Sequence, residues 1–182
     1  MPTPEGYDSA TWAEVQGGET TRQRIREVVQ ARQWPLYIHG PTGTGKSHLM
    51  ALIHASVDRG AVWRRADDLL EDLSQIRRTS LDRELRNQVR GCRLLCLDDL
   101  GVRVPNEYMG SQLFDLLEAR RHKPLVVTSN HPLGRMAGQA TPLSELYDDR
   151  IISRLAAGTV VAMMGSDRRR GQGRGIVLGA ER

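Results

Sequence analysis

The chain has 182 residues, of which 39% are hydrophobic and 26% charged, and its formal net charge at pH 7 is +4. These values are typical of one soluble domain with its own core, and no apolar run is long enough to cross a bilayer. Because the N-terminus also lacks the basic-then-apolar layout of a secretory signal, we expect a cytoplasmic protein without a membrane partner.

Short apolar strands alternate with amphipathic helices along the chain, which predicts an α/β fold around a buried, mostly parallel sheet of five strands. A Pro- and Gly-rich arm, residues 1–19, precedes a first helix that ends near residue 33. Further helices are predicted at residues 47–55, 66–76, 81–89, 110–121 and 149–156, and strands at 36–39, 61–64, 93–97, 124–128 and 159–163. The central unit is expected to span residues 20–166, and a basic, Gly-rich tail follows at 167–182.

The segment that follows the first predicted strand has the pattern G-x-x-x-x-G-K-[ST] and leads into a helix. In that context, glycines let backbone N–H groups turn toward phosphate oxygens at a helix N-terminus. Lys46 is expected to reach the terminal phosphates and Ser47 to place its hydroxyl on Mg²⁺. The alternative is a glycine-rich turn with a chance lysine. The residues predicted to bind ATP or ADP are Gly40, Pro41, Thr42, Gly43, Thr44, Gly45, Lys46, Ser47 and His48.

Two carboxylates, Asp98 and Asp99, end the apolar run 94–97. A carboxylate at such a strand end holds Mg²⁺ in P-loop NTPases, so Asp98 is the candidate metal ligand. Asp99 is the candidate general base that polarises the attacking water. Taken alone, an acidic pair after a strand is equally typical of a turn.

Polar groups later in the chain complete the candidate catalytic set. Asn130 follows the fourth predicted strand and could orient the water, although an Asn in that place is commonly a turn former. Arg150 and Arg154 are four residues apart and share one helix face. That face is either a solvated basic stripe or carries an arginine finger for a neighbouring subunit.

The order of these motifs resembles the DnaC/IstB group of AAA+ ATPases, which comprises replicative helicase loaders and transposition helper ATPases. The resemblance covers about residues 20–170 and is carried by segments 40–47, 94–101, 113–130 and 148–155. It implies a three-layer AAA+ ATPase core, with Arg154 as the arginine finger and Arg150 supporting it. It also implies a ring or spiral of about six copies and a replicative helicase or a transposase as partner.

The same resemblance places helices 66–76 and 81–89 where the group has an insertion that lines a channel for single-stranded DNA. The candidate DNA-binding residues there are Arg77, Arg78, Arg83 and Arg86. A basic stripe is what a phosphate-tracking groove requires, but interleaved acidic residues make a solvated helix face the alternative. Loaders of the group grip the helicase through an N-terminal domain, so the short arm or another protein is expected to supply that contact.

Four functions remain open from the sequence. The first is a DnaC-like helicase loader that assembles on single-stranded DNA, and the second is an IstB-like transposition helper that assembles on duplex DNA. The third is a small-molecule P-loop kinase, which the absence of an evident acceptor-binding lid disfavours. The fourth is a nucleotide-gated adaptor that binds ATP and barely hydrolyses it.

Overall fold

The computed structural model describes residues 6–7, 10–15, 18–57, 59–74, 80–135 and 140–165. The strands are β1 Leu36–His39, β2 Ala61–Arg65, β3 Leu94–Leu100, β4 Leu125–Ser129 and β5 Thr159–Ala162. The helices are α1 Gly18–Ala31, α2 Lys46–Ala55, α3 Ala66–Ser74, α4 Ser80–Gly91, α5 Glu107–Ala119 and α6 Asp149–Ala156, with short 3₁₀ turns at Trp12–Glu14 and Leu143–Glu145.

The five strands form one sheet in the order β2-β3-β4-β1-β5, and every neighbouring pair is parallel. This confirms the predicted α/β class and the number of strands. The strands at the sheet's centre are buried along almost their whole length because helices cover both faces. The predicted tail, residues 167–182, lies outside the described residues.

Two apolar cores flank the sheet, one on each face, because successive side chains of a strand point to opposite sides. On β1, Tyr37 enters the core formed with α3, α5 and α6, whereas Leu36 and Ile38 enter the core formed with α1 and α2. The N-terminal arm belongs to the second core, where Val15 is buried. The chain therefore builds the predicted three-layer sandwich.

The strand order brings the carboxyl ends of β1, β3 and β4 together in the middle of one sheet edge. In open parallel sheets, ligands bind outside these carboxyl ends. Each of the three predicted catalytic segments follows or ends one of these strands. The topology alone therefore collects them at one place.

Some strands and helices begin or end at other residues than predicted, because a side-chain hydrogen bond fixes the boundary. Strand β3 continues through Leu100, three residues past the predicted end, because Thr128 of β4 hydrogen-bonds both Asp98 and the Asp99 amide. Helix α5 begins at Glu107 because Asn106 caps it, its Oδ1 accepting the Met109 N–H at 2.8 Å.

Arg120 is a buried arginine that joins elements at the opposite end of the sheet from these carboxyl ends. Its side chain is 1% exposed, and its guanidinium donates to the carbonyl oxygens of Val89 at 2.8 Å, Cys92 at 3.2 Å and Pro124 at 2.5 Å. Burial lowers the pKa of Arg120. These bonds tie the end of α4 to the start of β4.

Within the described ranges, no helix combines the length and apolar character that a membrane crossing requires.

Candidate nucleotide-binding site

The loop between β1 and α2 has the backbone that the glycine pattern predicts. Gly43 (φ 80°) and Gly45 (φ 93°) occupy the left-handed region, where a side chain is disfavoured. Helix α2 begins at Lys46 directly after Gly45, so the N-terminal end of the helix adjoins the loop. A phosphate group bound there would meet backbone donors and the positive end of the helix dipole.

Lys46 connects the loop to the neighbouring strand end. Its ammonium donates to the carbonyl oxygens of Gly40 and Pro41, both at 2.9 Å, and to Oδ1 of Asn130 at 2.8 Å. The side chain is only 5% exposed. The structure therefore brings together the predicted lysine and the predicted β4 asparagine.

Gly40, the first residue of the loop, is needed for packing. The Met163 N–H donates to the His39 carbonyl at 2.7 Å, which holds the chain after β5 against the loop. A Cβ on Gly40 would lie 2.1 Å from the Met163 carbonyl oxygen. No side chain fits at this position without displacing that segment.

Ser47 and Asp98 form the candidate metal-binding pair. The Ser47 hydroxyl donates to Asp98 Oδ1 at 2.9 Å, and the Thr128 hydroxyl donates to the same oxygen at 2.5 Å. Burial raises the pKa of Asp98, and the hydrogen bonds from Thr128 and Ser47 oppose that rise. Thr128 is not among the site residues predicted from the sequence, since a threonine in a strand is usually explained by β propensity.

These two groups suit Mg²⁺, which is held by one or two protein oxygens together with water and phosphate oxygens. No cluster of three or more His, Cys, Asp or Glu ligands occurs among the residues that the structure describes. Ser47 and Asp98 are a donor set that a magnesium ion bound with a nucleotide would fit.

Asp99 is held in an unusual backbone conformation beside the pocket. Its φ is 58°, and its N–H donates to Thr128 Oγ1 at 2.9 Å. A non-glycine residue in this region persists where the surroundings fix it, and such positions cluster at functional sites. Asp98, Asp99 and Asn130 all line the same pocket as Lys46 and Ser47.

The pocket has a volume of about 640 Å³ and is open to solvent on one side. One wall comes from the N-terminal arm through Tyr7 and residues 13–15, which the sequence analysis did not place at the site. His48 holds this wall, since its Nε2 lies 3.2 Å from the Thr11 carbonyl and 3.5 Å from the Glu14 carboxylate. The volume is within the range of small-molecule sites.

Arg154 lies away from this pocket. It borders a small cavity with Pro35 and Leu125, which stand at the amino ends of β1 and β4. Its guanidinium pairs with Glu118, and Arg150 at the other end of α6 lies 4.9 Å above the Phe114 ring. With strands of four and five residues between them, the two sheet edges are ~13–17 Å apart, so Arg154 does not complete the pocket of its own copy.

The candidate DNA-binding arginines differ in exposure and in hydrogen bonding. Arg83 is exposed on α4, whereas Arg77 and Arg78 lie outside the described residues. Arg86 turns inward and donates to Gln112 Oε1 at 2.6 Å and to the Leu73 carbonyl at 2.5 Å. Its guanidinium is used to hold α3, α4 and α5 together, which corrects the expectation that Arg86 belongs to an open DNA-binding stripe.

Comparison with known proteins agrees with this geometry. A family model described as "IstB-like ATP binding protein" matches residues 27–172. The chromosomal replication initiator protein DnaA of Acinetobacter baylyi is 26% identical over 152 residues, which cover 80% of this chain and 31% of that protein. The chain thus spans about a third of the length of the curated relatives that it matches.

Two solved structures show the same fold. The crystal structure of the DnaC helicase loader superimposes with a TM-score of 0.70 at 17% identity, covering 88% of this chain and all of that chain. AMPPCP-bound DnaA from Aquifex aeolicus superimposes with a TM-score of 0.68 at 22% identity, covering 90% of this chain and 52% of that one. These likenesses confirm the predicted three-layer α/β fold around a parallel sheet.

Proposed function

The chain belongs to the IstB-like ATP-binding protein family, and from this membership we propose that it is a Mg²⁺-dependent ATPase that assembles on single-stranded DNA and helps to load a replicative helicase. One observation supports the proposal most. Side chains at the ends of two strands, β3 and β4, meet those of the phosphate loop and α2 in one pocket, where Lys46 bonds Asn130 and Ser47 bonds Asp98.

Each residue has a role that follows from its position. The amides of the loop and of the first turn of α2 bind phosphate oxygens, and Lys46 neutralises charge on the terminal phosphates. Ser47 and Asp98 would hold Mg²⁺, which stabilises negative charge on the phosphates when bound. Thr128 fixes the Asp98 carboxylate in place.

Asp99 and Asn130 act on the water in this proposal. Asp99 accepts the proton as the water oxygen attacks the terminal phosphorus, and the bond from that phosphorus to the ADP oxygen breaks. Asn130, held by Lys46, orients the water. The bond from the Asp99 N–H to Thr128 holds the backbone from which the Asp99 side chain extends.

Arg154 is proposed to act on a neighbouring copy. A guanidinium at the far edge of the sheet reaches the terminal phosphate of another subunit in a head-to-tail assembly. The short α6 helix that carries it is capped by Asp148, whose Oδ1 accepts the amides of Arg150 and Ile151. A ring or spiral is the assembly that such contacts produce.

Single-stranded DNA and a helicase are the proposed partners because the fold matches the helicase loader DnaC over its whole length. Arg83, Arg77 and Arg78 remain the proposed DNA contacts, in and beside the α3–α4 segment. Arg86 is left out because its guanidinium is engaged within the fold.

The test is ATP turnover of the wild-type protein and of Lys46→Ala, alone and with single-stranded or duplex oligonucleotides. Lysine occurs only at positions 46 and 123, so Lys123→Ala is a matched control whose side chain is exposed and far from the pocket. We expect Lys46→Ala to lose at least about a hundredfold in turnover, Lys123→Ala to be unaffected, and single-stranded DNA to stimulate the wild type.

Other outcomes identify the other functions. Stimulation by duplex DNA alone, with capture of a transposase in place of a helicase, indicates a transposition helper. Tight ATP binding without turnover under any condition indicates an adaptor. Phosphate transfer to a small molecule, with little release of free phosphate, indicates a kinase.

A further inference from the structure

The loop after β3 is held by a buried carboxylate that belongs to a different element. Asp67, in the first turn of α3, is 4% exposed. Its Oδ2 accepts the Arg103 N–H at 2.7 Å, and its Oδ1 accepts the Gly101 N–H at 3.4 Å. Because a buried carboxylate is costly unless it is hydrogen-bonded, these amides account for its presence in the fold.

The same residue, Gly101, is also held by His131, through its carbonyl group. Nε2 of His131 lies 3.0 Å from the Gly101 carbonyl oxygen, and Nδ1 lies 2.6 Å from the Thr141 carbonyl oxygen. Gly101 has a φ of 84°, and a Cβ there would meet His131 at 3.2 Å and Leu143 at 3.1 Å. Gly101 is therefore enclosed between α3 and the segment that directly follows Asn130.

The enclosed residues follow the pocket carboxylates directly in the chain, Gly101 two positions after Asp99. Asp99 and Gly101 both have positive φ, and the pairing of β3 with β4 shifts register between Leu97 and Leu100. Such a backbone is not fixed by regular ladder bonds alone, so side-chain contacts have to determine it. Thr128 and Ser129 of β4 bond the backbone of Asp99 and Leu100. Asp67 and His131 contact the turn that follows directly, at residues 101–103.

We propose that Asp67 is a positioning residue for the Mg²⁺-binding carboxylate Asp98 and its neighbour Asp99, acting through the amides of Gly101 and Arg103. This inference rests on the proposed function, since it concerns the metal-binding carboxylate of that site. It adds an assignment for a residue of α3 that does not line the nucleotide pocket. It also predicts that the effect appears in metal dependence while phosphate binding is preserved.

The decisive variant is Asp67→Asn. An amide side chain has one acceptor oxygen and one donor nitrogen, so it can satisfy only one of the two backbone N–H groups and opposes the other. Asp68→Asn is the matched control. Asp68 lies on the same helix and contacts the same residue, through the exposed Arg103 guanidinium at 3.3 Å, but it accepts neither of these two amides.

The measurement is the affinity for a fluorescent, non-hydrolysable ATP analogue, in EDTA and across a Mg²⁺ titration. In EDTA, we expect Asp67→Asn to bind within about twofold of the wild type, because the phosphate loop is untouched. The Mg²⁺ concentration that gives half of the affinity gain should rise about tenfold, as is typical when a partner that orients a ligand is lost. Asp68→Asn should follow the wild type in both conditions.

A Mg²⁺ titration of Asp67→Asn that superimposes on that of the wild type overturns the inference, whatever its melting temperature. So does an equal loss of affinity with and without Mg²⁺, which indicates general damage to the fold. If Asp67→Asn does not fold, His131→Gln decides between the outcomes, because it weakens the other support of Gly101 and should shift the Mg²⁺ midpoint in the same direction. If Mg²⁺ does not raise the affinity of the wild-type protein for the ATP analogue, the proposed metal site itself is wrong. If Mg²⁺ raises the affinity of the wild type and of Asp67→Asn equally, only the role of Asp67 is wrong.

Discussion

Arg154 has two possible roles, and one pair of substitutions separates them. Arg154→Ala removes the guanidinium, whereas Glu118→Gln breaks the same ion pair and leaves the guanidinium in place. If the ion pair is the function of Arg154, the two variants behave alike. If Arg154 acts on a neighbouring copy, only Arg154→Ala loses hydrolysis.

The structure sets the size of both effects. The two side chains are 33% and 36% exposed, so solvent screens the pair and either substitution should cost no more than about 1 kcal/mol of unfolding free energy. An arginine that stabilises transferred phosphate is worth about 10³-fold or more in turnover. Arg154→Ala should therefore bind ATP normally, melt near the wild-type temperature and lose nearly all hydrolysis, while Glu118→Gln retains it.

Mixing gives the intersubunit test. Lys46→Ala lacks a working pocket but keeps Arg154, and Arg154→Ala has the reverse defect. In an equal mixture that assembles head to tail, about one quarter of the interfaces pair an intact pocket with an intact guanidinium. Turnover measured by phosphate release should rise toward that fraction of the wild-type value.

Three results would contradict action of Arg154 on a neighbouring copy. Full activity of Arg154→Ala would show that the guanidinium is not needed, and equal losses in Arg154→Ala and Glu118→Gln would assign the defect to the ion pair. An inactive mixture of variants that still co-assemble would contradict action between copies.

Three further predictions concern stability and the chemical step. Arg120→Met should lower the unfolding free energy, measured in urea, by about 3–5 kcal/mol, because it leaves buried carbonyl oxygens without a donor. The control Arg121→Met, at the exposed neighbouring residue, should change the unfolding free energy by less than about 0.5 kcal/mol. Asp148→Ala should cost about 1 kcal/mol at pH 7 through loss of the α6 cap, while Asp148→Asn retains most of it. Hydrogen bonds with Arg150 and Ile151 lower the pKa of Asp148, so the charged cap stabilises the folded protein fully above the unfolded-state pKa of this carboxyl. In acid unfolding experiments, the advantage of Asp over Asn should disappear as the pH falls through the folded-state pKa. Asp99→Asn should keep ATP affinity within about twofold and reduce turnover by about 10²–10⁴-fold; unchanged turnover would exclude Asp99 as the base.

Much of the fold could be predicted because its signals are local. The apolar strands, the glycine pattern before α2 and the paired carboxylates after an apolar run each lie within about ten residues, and strand order then brings them together. The continuation of β3 to Leu100 could not be predicted in this way. It depends on Thr128, which is 30 residues from Asp98 and adjoins it only in the folded sheet.

The other features that the sequence did not reveal also depend on contacts between residues that are distant in the chain. Arg86 and Arg120 have the sequence signal of exposed arginines, yet both donate to backbone carbonyls of distant segments. Asp67 looks like one of several acidic residues on a solvated helix face, and only the three-dimensional path of residues 101–103 shows that it is buried. The wall that residues 13–15 give to the pocket depends on how the arm folds back onto His48.

The contact between Gly40 and Met163 affects how inactive variants are interpreted. A substitution at Gly40 pushes the segment after β5 away from the loop before any phosphate is involved. An inactive Gly40 variant would therefore have lost the packing between the end of β1 and the segment after β5. In a simple activity screen, this variant would look the same as one with a nucleotide-binding defect. Variants intended to abolish ATP binding are better made at Lys46, because its side chain can be shortened without a steric conflict and only its own hydrogen bonds to the loop and Asn130 are lost.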